Sequence, residues 1–335
     1  MATIYQVSQR AGVSLATVSR VINNNAKVKQ ATREKVLKAM DELNYRPNHT
    51  AQSLASNRSN CVGLMVAELG GPFFGDMMAG VEETLRSANK HVIITTAHSD
   101  PALEKEGINF LQNRSCDAII AHCEGLTDDQ IIELSEQSKV PLFLMGRQIP
   151  KLQNRCVSLD NEFGGYLATK TLIEAGHRQI GYISGPMFKE DAVERLKGHQ
   201  RALEEFGLPF DVNDVFTGDF HESGGQDGFL SLTSKGQYTA IACGNDEMAA
   251  GVIKAAHDQN YLLPEQLSVI GFDDVVFATY LWPALTTVSS STFQIGKAAA
   301  NMIIETIYKQ SSKQSGIIFE PKLIKRNSIY KINAK

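Results

Sequence analysis

The sequence predicts an α/β protein: a three-helix head and a hinge helix, then two lobes built on parallel sheets. Three observations predict it. Up to Leu43, apolar residues recur at helical spacing, broken only by turn signals. From Cys61 onward, short and almost continuous apolar runs alternate with amphipathic stretches, the pattern of parallel strands joined by helices. Charge divides at the same place. Residues 1–60 hold nine Lys/Arg and three Asp/Glu, a net +6; the remainder holds 24 and 34, a net −10, within an overall −4. A cationic head on an acidic body places a polyanionic partner at the head.

A chain of 335 residues exceeds what one core serves, so two or three domains are expected. With 43% hydrophobic and 21% charged residues it falls among ordinary globular chains, which sets aside disordered and membrane classes. No apolar run approaches the roughly 20 residues that span a bilayer. The start, MATIYQVSQR, lacks the apolar stretch of a secretion signal. Five scattered cysteines read as buried, reduced thiols, and a cytoplasmic location without a membrane partner is expected.

In the head, Thr3 and Gln6 fit a capping box, and Ile4, Val7 and Ala11 follow at helical spacing. Gly12 suits the left-handed residue that ends a helix, and Ser14 is the next N-cap. A turn of about three residues containing Gly joins the two helices, the helix-turn-helix spacing. Val18, Val21 and Ile22 face inward on the second helix. Small side chains, hydroxyls and Arg20 remain on its outer faces, a set that enters a major groove and bonds phosphates or base edges. A third helix from about Ala31 to Leu43 offers Val36, Met40 and Leu43 to the core. Docking to a protein is the other reading, but it calls for an apolar outer face, and this one is polar and basic. Pro47 then halts the chain, and Asn48 caps a helix of two turns over 48–55, too short to stand alone. Its Ala51 and Leu54 suit a twin helix, and Leu54 could wedge between base steps in a minor groove. A plain linker helix is the alternative.

The run MATIYQVSQRAGVSLATVSRVINN, the YRPN…A..L segment, and the later GNDEMAAG and SVIGFDD segments resemble the LacI/GalR family of bacterial transcription regulators, from Ala2 to about Ser328. The head is most similar to that family's galactose repressor and isorepressor branch. The resemblance implies sequence-specific binding to double-stranded DNA at a pseudo-palindromic operator, a homodimer, and control by a small effector. Candidate DNA contacts are Thr3, Tyr5, Ser14, Leu15, Ala16, Thr17, Ser19, Arg20 and Asn23 in the head, with Asn48, Ala51 and Leu54 in the hinge.

In the body CVGLMVAE, HVIITTA, CDAIIAHC and VPLFLMG read as one strand series. A second reads CVSLD, QIGYISG, VFTGDF, YTAIACG and LSVIGFD, with helices between. LTTVSS, a helix over Phe293–Tyr308, and IIFEPKLIKR return across both lobes; these crossovers, and the type I periplasmic-binding-protein-like architecture, are implied by the resemblance. The expected division is 1–46 for the helix-turn-helix head, 47–60 for the hinge, and 61–335 for effector binding and dimerisation. Lobe 1 covers about 61–159 and 290–319, and lobe 2 about 160–289 and 320–335.

Ligands of open parallel sheets sit at strand ends. There stand Phe73, Phe74, Asp160, Asp191, Arg195, Phe220, Asn245, Asp246 and Asp273. Carboxylates, an amide and an arginine beside aromatic faces suit a polyhydroxylated ligand. The resemblance puts Arg195, Asn245 and Asp273 at effector-holding positions, Phe220 at a stacking one, and Phe73, Phe74 and Asp191 along the wall. Helix N-capping is the structural alternative for Asp160, Asp246 and Asp273. Asp219-Phe220 resembles the lactose and purine repressor arrangement, and Lys189 stands where a purine-binding relative has arginine. The expected effector is a sugar or sugar derivative, with a purine or other metabolite as the alternative.

Other chemistry finds little support. Gly296-Lys297 lacks the remaining phosphate-loop residues, and His122-Cys123-Glu124 with Cys116 lacks paired metal-ligand spacing. No nucleophile–base motif is present, so neither a cofactor nor an enzyme is expected. A repressor of a carbohydrate-utilisation operon is the reading; a cytoplasmic sugar-binding or sugar-modifying protein is the rival of another class.

Overall fold

The computed structural model describes residues 2–22, 27–46, 58–309 and 316–332, and the chain divides into compact units at 1–60 and 61–335. Asn23, Asn48, Ala51 and Leu54, and with them the hinge helix, lie outside the described residues.

The first unit holds α1 (Ile4–Ala11), α2 (Leu15–Ile22) and α3 (Gln30–Glu42). Thr3 Oγ1 accepts from the Gln6 amide at 3.3 Å, and the Gln6 side chain accepts from the Thr3 amide at 2.8 Å, which starts α1. Gly12 ends it at φ 65°. Ser14 Oγ accepts from the Thr17 amide at 3.2 Å and starts α2. Val7, Val18, Val21, Val36 and Ala39 form the core, with Ile22, Met40 and Leu43 packed against it. Arg10 ties α1 to Glu42 of α3 at 2.6 Å.

In the second unit β1 (Cys61–Val66), β2 (His91–Thr96), β3 (Ala118–Ala121), β4 (Leu142–Met145), β5 (Cys156–Leu159) and β11 (Ile317–Phe319) make one parallel sheet, in the order β11-β5-β4-β3-β1-β2. Strands β6 (Ile180–Ser184), β7 (Val215–Thr217), β8 (Ala240–Cys243) and β9 (Ser268–Ile270) make a second parallel sheet, in the order β7-β6-β8-β9. A separate antiparallel pair joins β10 (Thr287–Ser289) and β12 (Lys322–Ile324). The central strands β3 and β4 are buried at every residue, as their unbroken apolar runs require. One correction follows. CVSL, grouped above with the second strand series although the lobe 1 bounds of 61–159 and 290–319 include it, pairs with β4 and β11 in the first sheet. An apolar run reports burial of both faces and not the sheet to which a strand belongs.

Helices α4 (Pro72–Ser87), α5 (Pro101–Asn113) and α6 (Asp128–Gln137) serve the first sheet. Helices α7 (Asn161–Glu174), α8 (Glu190–Glu205), α9 (Glu222–Lys235) and α10 (Asp246–Asp258) follow, and α11 (Thr292–Ile303) packs on α4. Gly296 lies inside α11 and supports no phosphate loop. The crossing of α7 on α8 brings the two backbones into contact. A Cβ on Gly165 would lie 2.1 Å from the Arg195 carbonyl oxygen, and one on Gly198 would lie 2.0 Å from that of Glu162. The same reciprocal contact of bare backbones joins α9 to α10 at Gly225 and Gly251, and α4 to α11 at Gly80 and Gly296.

His199 of α8 is buried against Tyr182, with ring centroids 4.6 Å apart, and its Nδ1 shares a hydrogen bond with Thr169 Oγ1 at 2.9 Å. Burial pushes its pKa down to about 3. The unfolded chain therefore takes up a proton near pH 6.5 that the folded chain refuses, and this group subtracts stability as pH falls below that point. The loss should reach roughly 2 kcal/mol at pH 5. Urea unfolding at pH 7 and pH 5 checks it: in His199→Leu the pH-dependent drop should shrink by that amount, and an unchanged drop would assign it to other groups.

Candidate functional site

The carboxyl ends of both parallel sheets open onto one cavity in two chambers, of about 240 and 140 Å³, which share Phe73, Glu124, Asp191 and Arg195. Phe73, Phe74, Asp191, Arg195, Phe220, Asn245 and Asp273 all line the smaller chamber. Two candidates stand elsewhere. Asp160 caps α7, accepting from the Phe163 amide at 2.9 Å, and faces a shallow outer depression beside Phe319. Asp246 is fully buried, accepting from Thr287 Oγ1 at 2.6 Å and the Val275 amide at 2.9 Å. Successive residues on a helix point about 100° apart, so Asn245 faces the cavity while its neighbour turns into the joint with β10. Burial pushes the Asp246 carboxyl up to about 7.

Arg195 is the centre of the chamber. Its Nε donates to Asn161 Oδ1 at 2.9 Å and one terminal nitrogen to the Gly244 carbonyl at 2.6 Å, while the guanidinium lies 3.8 Å from the Phe272 ring centroid. The other terminal nitrogen stands 3.6 Å from Asp273 and 3.7 Å from Asp191, longer than hydrogen bonds. Asp273 Oδ1 is buried without a hydrogen-bond partner. Burial raises this carboxyl well above the usual range, against the pull of Arg195. Asn245 caps α10 through Oδ1 and donates from Nδ2 to the Phe220 carbonyl at 2.8 Å, holding Phe220 at φ 69°. The strand read through VFTGDF stops at Thr217, and Asp219 Oδ1 takes the His221 amide at 2.8 Å to form the turn that presents Phe220.

Two ionic contacts cross the cleft from elements of one sheet to those of the other: Lys189 Nζ meets Glu124 Oε2 at 2.9 Å, and Arg147 Nε stands 3.1 Å from Glu190. His221 Nε2 lies 4.0 Å from Glu68 across the same cleft. Ser99 also donates to Glu124. Burial works to raise the Glu124 pKa, but His122 and Lys189 hold it below its ordinary value. Glu68, Glu124, Lys189 and Glu247 line the smaller chamber and Arg147 the larger, and no motif in the sequence marks Glu68, Arg147 or Glu247. Each follows an apolar strand run by a few residues, the signal that could have found them. Among the described residues, no group of three or more metal-ligating side chains is assembled.

In the head, Tyr5, Ser14, Leu15, Ala16 and Arg20 are exposed and Thr17 and Ser19 half-buried, so α2 presents the polar face described above. Thr3 serves as the α1 cap.

The description "Bacterial regulatory proteins, lacI family" matches residues 3–48, and a periplasmic binding protein-like domain matches 169–329. The HTH-type transcriptional regulator GalR of Salmonella typhimurium strain LT2 is 37% identical over 98% of this chain and 96% of its own. The chain belongs to the lacI family. Among solved structures, the lac repressor dimer bound to operator and the anti-inducer ONPF superposes on this lacI-family chain with a TM-score of 0.88 at 26% identity, covering 98% of this chain and 99% of the other. The transcriptional regulator CelR in complex with cellobiose gives 0.73 at 29% identity, covering 98% and 100%. This lacI-family protein is a DNA-binding repressor with a small-molecule effector, and no helix among its described residues is long and apolar enough to cross a membrane.

Proposed function

We propose that the protein represses a carbohydrate-utilisation operon as a homodimer on a pseudo-palindromic operator, and that a sugar-like effector in the smaller chamber switches it. The observation that carries the effector class is the Arg195 centre. A guanidinium fixed by Asn161, Gly244 and Phe272 sits beside two carboxylates that it does not fully satisfy, with the Phe220 ring centroid 5.7 Å away. Vicinal hydroxyls bridge such a donor and acceptor pair, and the apolar face of a sugar covers the ring. Phe73, Phe74 and Asn245 complete the wall in this reading. The two ionic contacts across the cleft, with the approach of His221 to Glu68, form the seam whose geometry a ligand alters. The homodimer is supported by an exposed apolar patch of Val276, Tyr280 and Trp282, 63%, 79% and 84% exposed, and by the dimeric state of the lac repressor relative.

In the head, Ser14, Leu15, Ala16, Thr17, Ser19 and Arg20 read the operator. Arg20→Ala is expected to weaken operator binding by about 1–3 kcal/mol. Fluorescence anisotropy at fixed salt, on wild type and variant with and without candidate sugars, tests the whole reading. Sugar should change operator retention in the wild type and be recovered chemically unaltered. Sugar consumption would favour an enzyme, and an unchanged Arg20→Ala affinity would remove α2 from the groove.

A further inference from the structure

The residues assigned to the effector leave much of the cavity unexplained. They occupy the chamber of about 140 Å³, while the larger one of about 240 Å³ runs on beyond the shared Arg195 and Asp191 towards His122, Arg147 and Phe188. Either chamber alone falls below the roughly 300 Å³ at which small-molecule sites begin, and together they pass it.

The walls of the larger chamber repeat the chemistry of the smaller. Phe188 gives an apolar platform, 65% exposed despite its size. His122 is 8% exposed, and its buried Nδ1 has no hydrogen-bond partner, as Asp273 Oδ1 has none in the neighbouring chamber. Asp128 Oδ1 and Arg147 Nε of the larger chamber lack a hydrogen bond as well, so each chamber pairs an aromatic face with polar side chains whose bonding is incomplete. The charges choose the ligand further. Four carboxylates, Glu124, Asp128, Glu190 and Asp191, line it against two guanidinium groups, Arg147, which is engaged by Asp128 at 2.7 Å and Glu190 at 3.1 Å, and Arg195, which faces Asp191 at 3.7 Å. A phosphate or carboxylate would enter a field of its own sign.

We infer that the larger chamber is a second saccharide subsite, so that the effector is an uncharged disaccharide with one ring in each chamber and its second ring on Phe188. This rests on the reading of the smaller chamber as a sugar site.

Isothermal titration calorimetry on the full chain tests it with glucose and galactose, with cellobiose, lactose, maltose and melibiose, and with glucose 6-phosphate. At least one disaccharide should bind about tenfold or more tighter than its component hexoses, a gain near 1.4 kcal/mol. Phe188→Ala should erase that advantage and leave hexose affinity unchanged; the exposed position makes misfolding no obstacle, and an unaltered melting temperature confirms it. Hexoses binding as tightly as every disaccharide, an equal loss for both sizes in Phe188→Ala, or preference for glucose 6-phosphate would each overturn the subsite while keeping the sugar reading. Silence from every saccharide would overturn both.

Discussion

Arg195→Lys is expected to lower effector affinity about a hundredfold or more while operator affinity without effector stays the same. Hydrogen bonds to charged groups contribute about 1.5–3 kcal/mol each, and a forked guanidinium makes two where an ammonium makes one poorly aligned contact. The fork is held ready. Asn161 at 2.9 Å, Gly244 at 2.6 Å and the Phe272 ring at 3.8 Å fix it before a ligand arrives, so little is lost in ordering it. Lysine keeps the positive charge that Asp191 and Asp273 face, which separates binding from folding. Arg195→Ala does not, and leaving those carboxylates uncompensated should cost about 3–5 kcal/mol of stability besides. Calorimetry for the ligand and urea unfolding for the fold give both numbers. Wild-type effector affinity in Arg195→Lys would remove the residue from the site.

Gly165→Ala is expected to destabilise the body by about 2 kcal/mol, and to weaken the effector as well. Two effects oppose. Alanine in a helix interior is favoured over glycine by about 1 kcal/mol. Against it, the new methyl would stand 2.1 Å from the Arg195 carbonyl oxygen, where the neighbour is backbone and has no rotamer to yield. Overpacking of this kind costs typically 1–3 kcal/mol and occasionally more, and here the clash is deep enough to win. Any relief by separating α7 from α8 carries Arg195 away from Asp273 and Phe272. Urea midpoints and ligand titration on the same variant measure both consequences. A stabilised variant with intact affinity would show that the crossing is looser than its backbone contact implies.

What the amino-acid order reveals follows how local each cause is. Thr3 with Gln6, Gly12 and Ser14 act within a turn of themselves, so the boundaries of α1 and α2 could be read before any fold was known. The runs of β3 and β4 announce burial on both faces. Membership of a sheet is a different matter, because only pairing partners distant in the chain place β5 beside β4 and β11. The site divides in the same way. Strand ends pointed to Phe73, Arg195, Phe220, Asn245 and Asp273, but the direction of a side chain at a helix start did not follow, and Asp246 turned inward. Pairs such as Lys189 with Glu124 join residues far apart in sequence and carry no signature until both lobes exist. The reciprocal glycines were equally silent, since a glycine in a helix reads as weakness until its neighbour is known.

The place of β11 at the outer edge of the first sheet has a consequence for how the protein is made. A ribosome releases the three-helix head early, and its small core of Val7, Val18, Val21, Val36 and Ala39 draws on nothing later in the chain. The first lobe, begun at Cys61, receives its last strand only when Phe319 has emerged. Translation therefore finishes the reader of DNA long before the part that governs it. A message broken late would leave a folded head attached to a body that lacks the edge strand of its first lobe.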